Sequence, residues 1–417
     1  MSKMRRGGLL RAYLAASYLL APLSTRVLRK RLARGKEHAS RWVEKQARGL
    51  APRPDGTLIW LHAVGLGEVL SLRGLIAQMA AQEPEAHFLV TSSTRASAEV
   101  FARNLPPRTI HQFLPLDAPR YRRTFLDHFR PDLCIWAEQD IWPGFVSDMQ
   151  RRDIPQAIIA ARMGAASYQS HRKARGLYRD LYRVMGLITA QDDITAAHLR
   201  RLGAKVRVTG SLKPSAPALI CDAGALETLR ATLAGRLIWA VAPSHPTDEA
   251  MAMAAHEIVR KSHPNALLIV APRFPDRRDA FPAHIPRKSL KQSPRQNDAI
   301  WLCDTFGDLG LIYRLTASVM IGGTHDATQG HSPWEALILH TAVCHGSQVA
   351  NFAPDYAQLA EARAATQVAN AAQLADFVLS DELTAQTQRA DTCVQAANLQ
   401  TAQLAIDLLN LQGASHV

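Results

Sequence analysis

The chain has 417 residues and a net charge of +13, too long for one ordinary core and long enough for two domains. Its apolar share of 47% is that of a globular protein. Five cysteines, odd in number and without CxxC spacing, exclude a disulfide framework and a cysteine-based zinc site and point to a reducing compartment. The positive charge is local: the first fifty residues hold 13 Lys or Arg against only Glu37 and Glu44, and the remainder is close to neutral. No aromatic stacking pattern or DNA-reading motif accompanies it, so nucleic acid is not expected as a partner.

Residues 8 to 24 are apolar apart from Arg11 and end just after Pro22. The uninterrupted run from Ala12 to Leu23 is shorter than the roughly 20 residues a spanning helix needs. Lys3, Arg5 and Arg6 precede it, and Arg26, Arg29, Lys30, Arg31 and Arg34 follow. This outline predicts a membrane-anchoring helix over residues 1 to 34, lying on an anionic cytoplasmic leaflet as a peripheral or monotopic attachment. A cleaved signal peptide and a soluble helical lid share part of the outline; the basic region downstream argues against export.

From Thr57 onward short apolar runs alternate with helical patterns. Strands are expected over 57–63, 87–91, 109–114, 133–137, 156–160, 186–190 and 205–208, with helices between them, a rhythm that implies a mostly parallel sheet covered on both faces. Residues 211 to 223, with Pro214 and Pro217, read as a linker. The rhythm restarts over 237–242, 266–271, 299–303, 318–322 and 342–345, and after Leu374 the chain reads as helical. Two such α/β domains, each a doubly wound Rossmann-like sheet, are expected to face each other across a cleft of strand-end loops suited to joining two substrates.

Several strand ends carry chemistry. Strand 57–63 runs into Gly65 and Gly67 and then Glu68, where a helix begins; the carboxylate there is a candidate general base, or an acidic residue favoured by the helix dipole. Trp136 to Pro143 closes another strand with Glu138 and Asp140, either a second acid at the site or helix caps. Pro272-Arg273 ends a strand with a guanidinium able to bind an anionic oxygen bidentately, or with an ordinary surface arginine. Gly322-Gly323-Thr324 follows a strand, and Gln329 to Glu335, with Gly330, His331 and Ser332, opens a helix whose amides would attract phosphate while Glu335 accepts ribose hydroxyls.

The order of these signals resembles, almost end to end, the 3-deoxy-D-manno-octulosonic acid (Kdo) transferases of lipopolysaccharide assembly, inverting glycosyltransferases of GT-B fold. Gly35-Lys36-Glu37 with Arg41 and Glu44 is similar to the segment after that family's anchor. His62 to Glu68 resembles HAVSxGE, Glu138 to Pro143 resembles E-x-E-[LI]-W-P, and Ala160-Ala161-Arg162 stands at Asn-Ala-Arg. Thr209 to Lys213 resembles TGNxK, Ser244-His245 the end of STH, and Pro272-Arg273 the start of PRH. Asp304-Thr305-Phe306-Gly307-Asp308-Leu309 resembles DTxGEL, Gly322 to Glu335 resembles GGS…GGHNxxE, and Asn351-Phe352 resembles NF. The chain departs at Gly65 for serine, Phe274 for histidine, Ser211 and Ser332 for asparagine, and Asp308 and Asp140 for glutamate.

The resemblance implies an α/β chain of GT-B architecture: an anchor over 1–34, an acceptor domain over 35–210, a linker over 211–223, a nucleotide-sugar domain over 224–380 and terminal helices over 381–417. It implies CMP-Kdo as donor, a lipid A precursor of the lipid IVA type as acceptor, an anionic membrane surface as partner, the cytoplasmic face of the inner membrane as location, and no cofactor. Glu68 would be the base of a metal-independent inverting displacement, with Glu138 orienting the acceptor or supporting an oxocarbenium-like transition state. Lys213, Ser244, Arg273, Asp304, Gly307, Gly323, Gly330, Ser332 and Glu335 would bind the donor. Two other outcomes stay open: a divergent transferase using a UDP-sugar, in the manner of lipid A disaccharide synthase, and an inactive membrane-bound GT-B scaffold.

Overall fold

A computed structural model of the chain describes residues 7–138 and 140–413. The basic flank Lys3, Arg5 and Arg6 lies outside the described residues, as does Gln139. The chain divides into two compact units: residues up to Ala216 joined by those from Ala397 onward, and Pro217–Ala396. The terminal segment expected over 381–417 is one long helix, Leu383–Gly413, so it is shared between the units. Its later part carries Leu404 and Leu408 into the core of the first unit.

Seven parallel strands build the first sheet: β1 (Leu58–His62), β2 (His87–Ser92), β3 (Thr109–Phe113), β4 (Leu133–Ala137), β5 (Gln156–Ala161), β6 (Leu187–Ala190) and β7 (Arg207–Val208). Their order is β3-β2-β1-β4-β5-β6-β7. Every residue of β1, β4 and β5 is buried, which is why these strands read as continuous apolar runs rather than alternating ones. On one face Trp60 packs against Trp136, Phe125 and Phe145; on the other Ile59, Leu61 and Ile135 meet Val69, Ile76 and Leu408. The order reverses between β1 and β4, so the loops after these neighbours open the crevice where doubly wound sheets bind ligands.

The second sheet is also parallel throughout: β8 (Ile238–Ser244), β9 (Leu267–Pro272), β10 (Ile300–Leu302), β11 (Ser318–Met320), β12 (Ala342–His345) and β13 (Thr366–Gln367), in the order β10-β9-β8-β11-β12-β13. Its reversal lies between β8 and β11. β13 had no counterpart in the sequence reading. It is two polar residues at an edge, defined by its pairing with Cys344 and His345 rather than by any apolar run.

The stretch expected as a linker does not stand apart. Lys213–Ser215 forms a helical turn, and Ser215 Oγ lies 2.8 Å from Thr401 Oγ1. Gly74 packs so tightly here that a Cβ on it would fall 2.0 Å from the Ser215 carbonyl oxygen.

The amino-terminal segment forms helices Gly8–Ala16 and Leu20–Ala33, joined by a single turn at Ser17–Leu19. One side of it packs into the first unit. Leu10 and Leu28 are buried, Ser24 Oγ meets Tyr121 Oη at 2.7 Å, and Gln46 donates to Ser24 at 2.9 Å. The opposite side exposes Leu9, Tyr18, Leu19, Leu23 and Val27. No described helix is long and apolar enough to cross a membrane.

Candidate active site

The first sheet's reversal brings two carboxylates into one pocket. Gly65 ends the turn after β1 and caps the helix Leu66–Gln82, placing Glu68 in its first turn. Glu68 Oε2 accepts the Val64 amide at 3.0 Å, the helix-opening role expected of an acid there. The same side chain lines a recess with Glu138, Ser71, Gln191, Ser211 and Lys213. Glu68 therefore holds the helix start while its side chain also faces the recess.

Glu138 follows β4 directly and has a φ of +58°, a left-handed conformation that is costly for a residue with a side chain and is found preferentially at functional sites. Its amide donates to the Ile159 carbonyl at 2.9 Å. Burial pushes its carboxyl up to about 7, the neighbouring Glu68 carboxylate adds to this, and Lys213 and Arg162 act in the opposite direction. Near neutral pH Glu138 thus holds a proton for much of the time beside Glu68, and it can donate a hydrogen bond. This suits orientation of an acceptor better than electrostatic support of a cationic transition state. Ala160 on β5 also has a positive φ, +47°, and lines the same recess. Its carbonyl accepts Gln191 Nε2 at 2.9 Å, and that amide group reaches Glu138 Oε1 at 3.4 Å. Gln191 was missed in the sequence because it lies just after β6 in no motif of its own.

Asp140 does not cap the following helix, Pro143–Gln150, which has no capping side chain. It instead bonds His62 Nε2 at 2.9 Å and accepts Trp142 Nε1 at 3.1 Å. Lys213, grouped in the sequence reading with the donor-binding residues of the second domain, lies in the first unit beside Glu138.

In the second unit the strand ends are knitted by a buried carboxylate that the motifs did not mark. Asp248 Oδ2 accepts the amides of His245 at 3.0 Å and Gly323 at 2.6 Å, joining the loop after β8 to the loop after β11. His245 Nε2 lies 2.9 Å from His331 Nε2, with the rings stacked. Burial first, then His245 and Arg273, lowers His331 to about 4, so its ring is neutral at neutral pH. Arg273 follows β9 with its guanidinium over the Phe274 ring, 5.7 Å from the centroid. The exposed Phe274 ring in turn stands edge-on to His245.

The remaining predicted donor residues divide into two groups. Glu335 lies near Arg273; burial raises its carboxyl and Arg273 opposes the shift. Ser332 is half-buried in the loop before it. Ser244 Oγ donates to Glu249, which is held bidentately by Arg277. Asp304 accepts the Ser289 amide at 2.8 Å and its hydroxyl at 2.5 Å, and Gly307 makes a left-handed turn, φ +94°, ahead of the next helix. These three shape loops. At the turns where a phosphate cradle was expected, the Gly323 amide is given to Asp248, the Gly330 amide donates to the Gly323 carbonyl, and the helix that follows is one turn, Trp334–Leu337. Among the described residues no group of three or more His, Cys, Asp or Glu is arranged to hold a metal ion.

Two all-parallel, doubly wound sheets, with paired acids at one reversal and an arginine–histidine loop cluster at the other, give the chain GT-B architecture. A glycosyltransferase from Rickettsia africae shares the fold, with a TM-score of 0.53 at 11% identity over 85% of this chain and 99% of that one. The family model for 3-deoxy-D-manno-octulosonic-acid transferase matches residues 28–216. The Arabidopsis thaliana protein named "Probable 3-deoxy-D-manno-octulosonic acid transferase, mitochondrial" is 30% identical over 88% of this chain and 87% of its own length. The 3-deoxy-D-manno-octulosonic acid transferase of Rickettsia bellii is 26% identical over 89% and 90%. The chain belongs to the Kdo transferase family.

Proposed function

We propose that this enzyme transfers Kdo from CMP-Kdo to a lipid A precursor of the lipid IVA type, at the cytoplasmic face of the inner membrane. The observation that carries the reading is the pair Glu68 and Glu138 in one recess of the first unit, with Lys213 beside them. In transfer Glu68 takes the proton of the acceptor hydroxyl as its oxygen bonds to the anomeric carbon of Kdo, and the bond from that carbon to the CMP phosphate breaks with inversion. Glu138, carrying a proton, orients the acceptor. Negative charge gathers on the departing phosphate, where Arg273 supplies cationic stabilisation. The apolar side of the amino-terminal helices, Leu9, Tyr18, Leu19, Leu23 and Val27, together with Arg26, Arg29 and Lys30, supports seating on an anionic lipid surface. Holding the enzyme there raises the local concentration of a lipid acceptor.

The test is mass spectrometry of the lipid A precursor after incubation with CMP-Kdo and the enzyme, run beside Glu68→Gln. The variant keeps size and is expected to bind CMP as the wild type does while turning over roughly 100-fold more slowly. Near-normal turnover by the variant removes Glu68 as the base, and no Kdo-bearing product from the wild type removes the donor–acceptor assignment.

A further inference from the structure

Asp117 has no part in the chemistry above, yet it gathers more of the first unit than any single side chain of the recess. It lies between β3 and the helix Pro119–Phe129 and is 1% exposed. Tyr13 Oη, from the first amino-terminal helix, donates to its Oδ2 at 2.7 Å. The Gly144 amide donates to the same oxygen at 2.8 Å, and the Phe145 amide to Oδ1 at 3.1 Å. Arg122, itself buried and held by Asp148 at 2.8 Å, closes the cluster from the fourth side at 3.5 Å. Burial pushes the Asp117 carboxyl up to about 6, against Arg122, Tyr13 and the two amides, which favour its charged form.

The two amides are the otherwise unmatched donors that open Pro143–Gln150. That helix has no capping side chain of its own, so Asp117 serves as its cap from a distant part of the sequence. The geometry requires glycine at 144: a Cβ there would lie 2.5 Å from Asp117 Oδ1 and 2.3 Å from Arg122 Nη1. Immediately before the helix come Glu138, Asp140 and Trp142, with Trp142 bonded to Asp140 and Asp140 to His62 at the end of β1. A continuous set of hydrogen bonds therefore leads from Tyr13 through Asp117 to the start of the helix Pro143–Gln150, directly after Asp140 and Trp142.

We propose that Asp117 is a positioning residue for transfer, fixing the Glu138–Trp142 loop by capping the helix that follows it, and that the Tyr13 hydroxyl ties this hold to the seating of the amino-terminal helix. The inference rests on the reading that this loop serves the reaction. The amino-terminal helix then does more than attach the enzyme to a surface: the face opposite its exposed leucines helps set the geometry of the acid pair.

Tyr13→Phe in the full-length enzyme tests this with the loss of one hydroxyl. Hydrogen exchange of the peptide spanning residues 138–150 should rise, kcat should fall about tenfold, the worth of one buried hydrogen bond, and KM for CMP-Kdo should stay unchanged. Asp117→Asn should act in the same direction more strongly; should it fail to fold, Tyr13→Phe alone decides. Ser24→Ala loosens the amino-terminal helices at their contact with Tyr121 without touching Asp117, and should leave kcat as it is. Wild-type exchange over 138–150 in Tyr13→Phe, unchanged kcat despite raised exchange, or an equal loss of kcat in Ser24→Ala each overturns the proposal. Glu138→Ala run alongside separates the two layers. Full activity there defeats the assignment of the loop to catalysis, whereas the exchange of Tyr13→Phe still reports whether Asp117 holds the loop.

Discussion

The two sheet reversals of this enzyme share a topology and use their carboxylates in opposite ways. At the first, Glu68 and Glu138 sit in one recess, one holding a single backbone amide and the other strained into a left-handed conformation and pushed towards its neutral form. At the second, the acids are consumed by structure: Asp248 by two amides, Glu249 by Ser244 and Arg277, Asp304 by Ser289, and Asp308 by Lys288 and Thr305. What remains at the mouth of the second reversal is Arg273, Phe274 and the histidine pair, with Glu335 near Arg273 and Asp326 near the histidines. An acid whose lone pairs are filled by fixed donors is a poor proton acceptor and a good strut, so the acid pair of the first recess suits proton transfer and the acids around the second reversal suit scaffolding.

This contrast predicts that acids of the two units fail differently. The largest effect on folding should come from Asp248→Ala, which strands the amides of His245 and Gly323 and should cost roughly 3 kcal/mol in chemical denaturation. Asp248→Asn should recover most of that, because one amide oxygen can accept both donors. Equal losses from Ala and Asn would show that charge rather than hydrogen bonding holds the two loops.

Glu138→Gln should do the reverse. Its carboxyl is raised from 4.5 to about 7, so between those values the folded chain binds the proton more firmly than the unfolded chain, and stability falls as pH rises through that window. Removing the carboxyl should therefore stabilise the protein at pH 8 by roughly 2 kcal/mol and leave it unchanged at pH 4. A pH-independent difference between variant and wild type would mean that Glu138 is not held in its neutral form.

Much of this division was legible in the chain. Strands buried on both faces gave continuous apolar runs, so β1, β4, β8 and β9 and the acids and arginine that follow them stand out. What escaped was whatever depends on partners distant in sequence. β13 has no apolar signature, and Gln191, Asp248 and Asp117 are ordinary polar residues until the sheet brings Glu138, Gly323 and Gly144 to them. The fate of the Gly323 and Gly330 amides was also invisible, because a glycine turn looks the same whether its N–H groups face a ligand or a neighbouring carboxylate. In the amino-terminal helices composition records apolar content and not which side of it is covered, so the buried Leu10 and Leu28 look the same in the sequence as the exposed Leu9 and Leu23.

At the second mouth the effect should appear in binding rather than in folding. Arg273→Ala should weaken CMP affinity about tenfold by calorimetry, the scale of one charge-assisted contact, with the circular dichroism spectrum and unfolding midpoint unchanged. Unaltered affinity would take Arg273 out of the donor site and leave His245 and His331 as the candidates for phosphate.

The smallest effect sharpens the first mouth. Gly65 caps the helix that carries Glu68, with φ −80° and ψ 159° and no side-chain cap, a conformation in which serine is the better cap. A Cβ at this position would lie 3.1 Å from Glu68 Oε1, the end of a flexible side chain that can yield by a few tenths of an ångström. Gly65→Ser should therefore be accommodated, raise stability by about a few tenths of a kcal/mol, and bring a hydroxyl within reach of the Glu68 carboxylate. A hydrogen bond to the charged form lowers a carboxyl's pKa, so the acidic limb of the pH–rate profile should move to lower pH while the maximal rate changes little. A shifted limb would mark Glu68 as the group whose ionisation governs turnover. An unmoved limb in a variant that gains the expected stability would assign that limb to another group and leave Glu68 only its role in opening the helix.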